Sequence, residues 1–155
     1  MKHHTYEVRV EWTGNDGDGT NSYTAYRRDH TITSAGKPAI SASSDPAFRG
    51  NPARYNPEEL LVAAISSCHM LWYLHLCAEN HVIVQEYQDA ASGVMKEEDD
   101  GSGRFTRVVL RPRVTIAAGS DRAKAFALHR EANRLCFIAN SVNFPVDHEP
   151  EIVDA

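Results

Sequence analysis

Two hydrophobic rhythms run along the chain. Residues 6–12, Tyr-Glu-Val-Arg-Val-Glu-Trp, place an apolar side chain at every second position, the period of a half-buried strand. Gly14-Asn-Asp-Gly-Asp-Gly19 breaks that run as a turn, so the first strands should form a hairpin, continued by 21–28 and 30–32. Ala35-Gly-Lys-Pro38 is the next turn. Residues 41–55 have the Ser, Pro and Gly density of an irregular loop, and a loop of that length in a compact domain is often functional.

The rhythm then changes. Asn56 can cap a helix, Pro57 suits its first position and Glu59 stands three residues after the cap, which predicts a helix over 57 to about 79. This helix is apolar nearly all round, enough to raise a membrane span. Ser66, Ser67, His69 and His75 interrupt it, and no charged or aromatic belts flank it, so a buried central helix is expected. Residues 81–95 and 104–116 read as strands joined by the charged turn Lys96-Glu-Glu-Asp-Asp-Gly-Ser-Gly103, a second hairpin. A second helix is predicted from Asp121 to about Cys136 through Ala125, Leu128, Ala132 and Leu135, with Ser120 as its cap. The tail, 144–153, should end as an edge strand.

Strands, helix, strands, helix, strand is the order of an α+β fold, here read as a single domain over 1–155. A helix apolar on every side needs cover on every side, and one small sheet covers one face. A second copy of the chain, in a homodimer, is expected to supply the rest.

Composition narrows the function. With 155 residues, a net charge of -5 and a pI near 5.9, the chain offers no basic stripe for phosphate backbones, so nucleic acid is not an expected partner. No membrane partner is expected, and the start, Met-Lys-His-His-Thr, lacks the apolar stretch of a signal peptide; a cytoplasmic location follows as the expectation. Cysteines at 68, 77 and 136 form no CxxC pair and are odd in number, which argues against a structural disulfide framework. A bond between two of them would be functional.

Cys68 and Cys136 lie in different helical segments, and two thiols brought to one core can do redox chemistry that neither does alone. A thiol reacts as its thiolate, which near neutral pH needs positive charge or hydrogen-bond donors nearby. Cys68 lies twelve residues past the cap, beyond the reach of the helix dipole. The candidate cations are Arg49 and Arg54 in the loop and Arg27 and Arg28 before it, with Arg49 the first choice. Glu58 could hold such an arginine as a bidentate pair. Ten residues of helix span about 15 Å, however, so the acid and arginine serving one Cys68 are expected from a second copy. Against these readings, free cysteines usually act as small buried hydrophobes, which suits Cys77, and Glu58 and Glu59 suit a helix N-terminus. The eight histidines raise a metal site around Cys68, His69, His75 and His129, but no HxxxH, HExxH or CxxC spacing supports one. GxGxxG, GxxxxGK[ST] and GxSxG are absent, which removes the sequence anchors of nucleotide binding and serine hydrolysis.

The run Asn56-Pro-Glu-Glu-Leu-Leu-Val-Ala-Ala-Ile-Ser-Ser-Cys68 resembles the OsmC/Ohr family, the osmotically inducible and organic hydroperoxide resistance proteins. Cys136-Phe-Ile-Ala-Asn-Ser-Val142 is similar to the family's second cysteine segment. The resemblance implies antiparallel sheets wrapped around long central helices in an intertwined homodimer. It also implies a thiol peroxidase acting on organic hydroperoxides in oxidative-stress defence. Carried over by position, Cys68 is the peroxidatic cysteine, Cys136 the resolving one and Glu58 the carboxylate that orients the arginine. That arginine is Arg49 by the OsmC-like pattern, while the Ohr-like pattern keeps Arg27 and Arg28 open. No metal, flavin or haem is implied, and the reductant is an external dithiol, a lipoylated protein being one candidate.

The segment His69-Met-Leu-Trp-Tyr-Leu-His-Leu-Cys77 departs from the family's usual run and suggests a branch with its own substrate. Leu71, Trp72 and Phe137 would wall the site for an apolar peroxide. Two other readings stand beside this one: a stress-related protein binding a small apolar ligand, and a cysteine hydrolase or transferase with His69 or His129 as base. Neighbouring helical residues point about 100° apart, so His69 is poorly aimed at Cys68, and that last reading ranks lowest.

Overall fold

The alternation at the start of the chain folds as β1 (Arg9–Trp12), antiparallel to β2 (His30–Thr33), with Trp12 opposite His30; β3 (Ile40–Ala42) completes a three-stranded sheet in the order β1-β2-β3. The computed structural model describes residues 1–155, which divide into two compact units, Met1–Leu60 and Leu61–Ala155.

In the first unit, residues 21–28 are not the strand that was expected. Side chains and backbone there bond locally instead. The Arg28 guanidinium lies over the rings of Tyr26 and Tyr23, 3.9 and 4.6 Å from their centroids, and donates to the carbonyls of the same two residues. Arg27 N–H donates to Gly14 O at 2.9 Å, and the Trp12 indole donates to Arg27 O at 2.8 Å. Gly14 is needed for this approach, since a Cβ there would meet Arg27 O at 1.8 Å. Of the loop expected over 41–55, residues 41–42 belong to β3, and the rest is irregular but tied down. Asp45 caps a 3-10 turn at Pro46–Phe48, Arg49 follows in the left-handed region at φ 63°, and Ser43 N–H donates to Tyr55 O.

The helix α1 spans Pro57–Glu79. Its start is a reciprocal capping box: Glu59 N–H donates to Asn56 Oδ1 at 2.8 Å, and Asn56 N–H donates to Glu59 Oε2 at 3.2 Å. It ends in a Schellman arrangement, Val82 N–H reaching Cys77 O and His81 N–H reaching Ala78 O, with His81 at φ 58° where glycine is usual.

The second unit divides the predicted second hairpin between two sheets. Its outer parts, β4 (Val84–Asp89) and β7 (Pro112–Ile116), pair with each other, and its inner parts, β5 (Ser92–Glu97) and β6 (Gly103–Leu110), do likewise. The chain turns from sheet to sheet at 90–91 and at Arg111, where Asp89 accepts Arg111 N–H at 2.6 Å and Pro112 has no N–H to continue a ladder. The tail makes two strands, not one. β8 (Val146–His148) joins β6 and β9 (Glu151–Asp154) joins β7, both parallel, so these sheets are mixed. Between them, α2 spans Arg122–Leu135. Its cap is Asp121, which accepts Lys124 N–H, while Ser120 Oγ takes the N–H of Ile83.

The class is α+β. One core gathers Tyr73, Cys77, Val114, Ile116, Ala132 and Ile152, and a smaller one gathers Ile65, Val108 and Leu110. The residues α1 buries are Ile65, His69, Tyr73 and Cys77, a stripe at four-residue spacing, which makes it a core-packing helix even though one 18-residue stretch of it has a mean hydropathy of 1.6.

Candidate active site

Successive cross-links join α1 to α2. Tyr73 Oη donates to Ala125 O at 2.9 Å; one turn earlier on α1 and one turn later on α2, His69 Nε2 and His129 Nδ1 share a hydrogen bond of 3.0 Å. The helices are therefore antiparallel. Cys136, the residue that closes α2, stands two turns beyond His129, and its thiol neighbours that of Cys68.

Cys68 is half-buried and Cys136 is 1% exposed; both are free thiols, as is Cys77. Burial pushes the Cys136 thiol up to about 11, the Ala139 N–H at 3.4 Å opposes the rise, and the adjacent Cys68 adds to it. Cys77 lies among the core side chains. Burial raises its thiol, with a smaller opposing effect from Tyr73.

Trp72, one turn after Cys68, meets Phe137, the residue after Cys136, edge to face at 5.4 Å. Phe137 is 67% and Leu71 63% exposed, so this end of the helix pair presents apolar surface beside the two sulfurs.

Glu58 and the four candidate arginines belong to the first unit. Arg27 is held by Asp16 and Asp29, Arg54 approaches Asp29 at 3.7 Å, and Arg28 sits between its two tyrosines. Arg49 is exposed, 5.8 Å from the Tyr23 centroid, with no hydrogen bond from its guanidinium. Within the chain, no ion pair joins it to Glu58.

Sequence reasoning weighed His69 and His129 as metal ligands, bases or ordinary core or surface residues, not as a pair, and missed His148. The rings of His69 and His129 are 4° from parallel with centroids 5.3 Å apart; His129 also stacks on Tyr73 at 3.8 Å, and His148 of β8 lies 5.9 Å from His69. Burial lowers His69 to about 4 and His129 to about 3, so both are neutral near pH 7. His148 is lowered by burial too, against the pull of Asp147. The outer nitrogens, His69 Nδ1 and His129 Nε2, are buried without partners. No three of the chain's His, Cys, Asp or Glu side chains are arranged to hold a metal ion. With Nε2 engaged by His129 and Nδ1 unpartnered, His69 makes no hydrogen bond to Cys68, as a hydrolytic base would. The available signal was position: His69 falls on the same four-residue stripe as Ile65, Tyr73 and Cys77.

An α+β protein whose long capped helix and second helix bring two free thiols together is the class defined so far. Residues 50–151 match the sequence model of a family described as OsmC-like protein. The chain is 35% identical to an OsmC-like protein of unknown function from Vibrio cholerae O1 biovar eltor, with a TM-score of 0.84 over 97% of this chain and 100% of that one. This chain belongs to the OsmC-like family. The uncharacterized protein YmaD of Bacillus subtilis (strain 168) is 21% identical over 154 residues, 97% of this chain and 95% of that protein. An organic hydroperoxide resistance protein from Elizabethkingia anophelis shares the fold, with a TM-score of 0.69 at 17% identity over 99% of this chain and 100% of that one.

Proposed function

We propose that the protein is a thiol-dependent peroxidase that reduces organic hydroperoxides with Cys68 and Cys136. The observation that carries this reading is the adjacency of a half-buried thiol and a buried one, contributed by separate elements. Membership of a family with neighbours named organic hydroperoxide resistance proteins supports the choice of oxidant.

The Cys68 thiolate attacks the terminal peroxide oxygen; an S–O bond forms, the O–O bond breaks and the alcohol leaves with a proton. The Cys136 sulfur then attacks the Cys68 sulfenic acid, releasing water and forming the disulfide. An external dithiol, such as a lipoyl group, returns two electrons by exchange. Its accessible target is Cys68, because Cys136 is buried; the Cys136 sulfur that departs accepts the Ala139 N–H. Leu71, Trp72 and Phe137 suit an apolar alkyl chain. Arg49, with Glu58 to orient it, stabilises charge on the departing oxygen. Since Glu58 and Cys68 stand ten residues apart on one helix, these groups come from a second copy in a homodimer, in the cytoplasm.

Intact mass before and after one equivalent of an organic hydroperoxide tests the reading. Loss of two hydrogens, mapped to a Cys68–Cys136 bond, is expected. Both thiols remaining free would overturn it in favour of a family member that binds an apolar ligand without turnover.

A further inference from the structure

We propose that the hydrogen-bonded pair His69–His129 is a positioning device that fixes the register of α1 against α2 and so holds Cys136 against Cys68. This deepens the two-cysteine reading, which needs the sulfurs in contact, but its test requires no peroxide.

The pair is a poor choice for core filling. Two imidazoles occupy wholly buried positions, and each leaves its outer nitrogen without a partner, whereas apolar side chains of similar volume would leave none. What the imidazoles supply is direction. A hydrogen bond of 3.0 Å tolerates little sliding, while packed aliphatic side chains have several acceptable registers. Tyr73 reinforces the constraint twice, through its ring at 3.8 Å from that of His129 and its hydroxyl on Ala125 O.

Cys68 adjoins His69, and Cys136 stands two turns along α2 from His129. A slip of one residue moves a sulfur about 1.5 Å along a helix axis, a large error for a bond that needs its Cβ atoms about 4 Å apart. The bond also needs a donor on one ring and a bare lone pair on the other, so protonation of both rings breaks it. The groups around the pair are Tyr73 from α1 and His148 from β8, with Asp147 acting on His148; no carboxylate bonds either imidazole. The pair is thus neutral and intact near pH 7 and fails only in acid.

The test equilibrates the full chain in reduced and oxidised glutathione and maps the Cys68–Cys136 disulfide by mass. Glutathione disulfide takes two electrons from the thiols and leaves as two glutathiones. In His129→Phe, which keeps a flat ring on Tyr73, the effective concentration of the two thiols should fall about tenfold. His69→Gln, whose amide can stand in for Nε2, should keep most of it. Val108→Ala, a truncation in the smaller core, which does not include Tyr73 or Ala125, should lose stability without moving the value. Unchanged values in His129→Phe overturn the proposal; should that variant not fold, an unaltered cysteine pairing on losing the hydrogen bond in His69→Leu does so. Disulfide formed in glutathione but not with peroxide would instead sink the peroxidase reading alone.

Discussion

His69 Nε2 lies 3.0 Å from His129 Nδ1, a hydrogen bond between residues sixty positions apart and wholly buried. Burial keeps both rings neutral, because an unsolvated imidazolium at this position has no carboxylate to meet it.

That burial should appear in the pH profile of stability. Both pKa values are lower in the folded chain than the ordinary 6.5, so the unfolded chain binds more protons in acid. The stabilisation is complete above about 6.5 and is lost as pH falls from there toward about 4 and about 3. Each imidazole contributes on the order of 3 kcal/mol. Urea midpoints across this range should fall with acid, and less steeply in His129→Phe; equal slopes would show that other groups titrate.

Cys68→Ser should abolish consumption of an organic hydroperoxide. Cys136→Ser should leave a sulfenic acid on Cys68 that dimedone traps, while turnover with a dithiol stops after the first cycle. Undiminished turnover in either variant is the outcome that refutes its assigned role.

Arg49→Ala should slow the first, peroxide-dependent step by about 100-fold, measured as the rate of sulfenic acid formation. Arg27→Ala should act differently, freeing Asp16, leaving the buried Asp29 to Arg54 alone and loosening the 13–29 segment. An unchanged rate in Arg49→Ala, with a slowed one in Arg27→Ala or Arg28→Ala, would move the catalytic role.

His81→Gly should raise stability by about 1 kcal/mol, since His81 holds a left-handed conformation that closes α1 and that glycine adopts without strain. Thermal unfolding checks the sign; a lower Tm would mean the imidazole makes a compensating contact.

Light scattering on a size-exclusion column should give the mass of a dimer. A clean monomer at micromolar concentration would remove the second copy from which Glu58 and Arg49 were inferred to come.

What the sequence determined by itself is whatever neighbouring residues decide between them. The capping box of Asn56 and Glu59 set the start of α1, Asn80 lay just beyond its end, alternation marked β1, and two strand-like runs around a charged turn marked what became β4 to β7. The run from Asn56 to Cys68 and the segment after Cys136 pointed to the family before any contact was visible. Tertiary structure decided the rest, because those outcomes turn on partners distant in the chain. Residues 21–28 lost their strand to contacts with Gly14 and Trp12, and Ser120 lost its cap to Ile83 while Asp121 replaced it. The tail became two parallel strands because β6 and β7 each offered an open edge. The histidine pair was hidden for the same reason: a buried imidazole carries no local signature, and only the antiparallel packing of α1 on α2 brings His69 to His129 and Cys68 to Cys136.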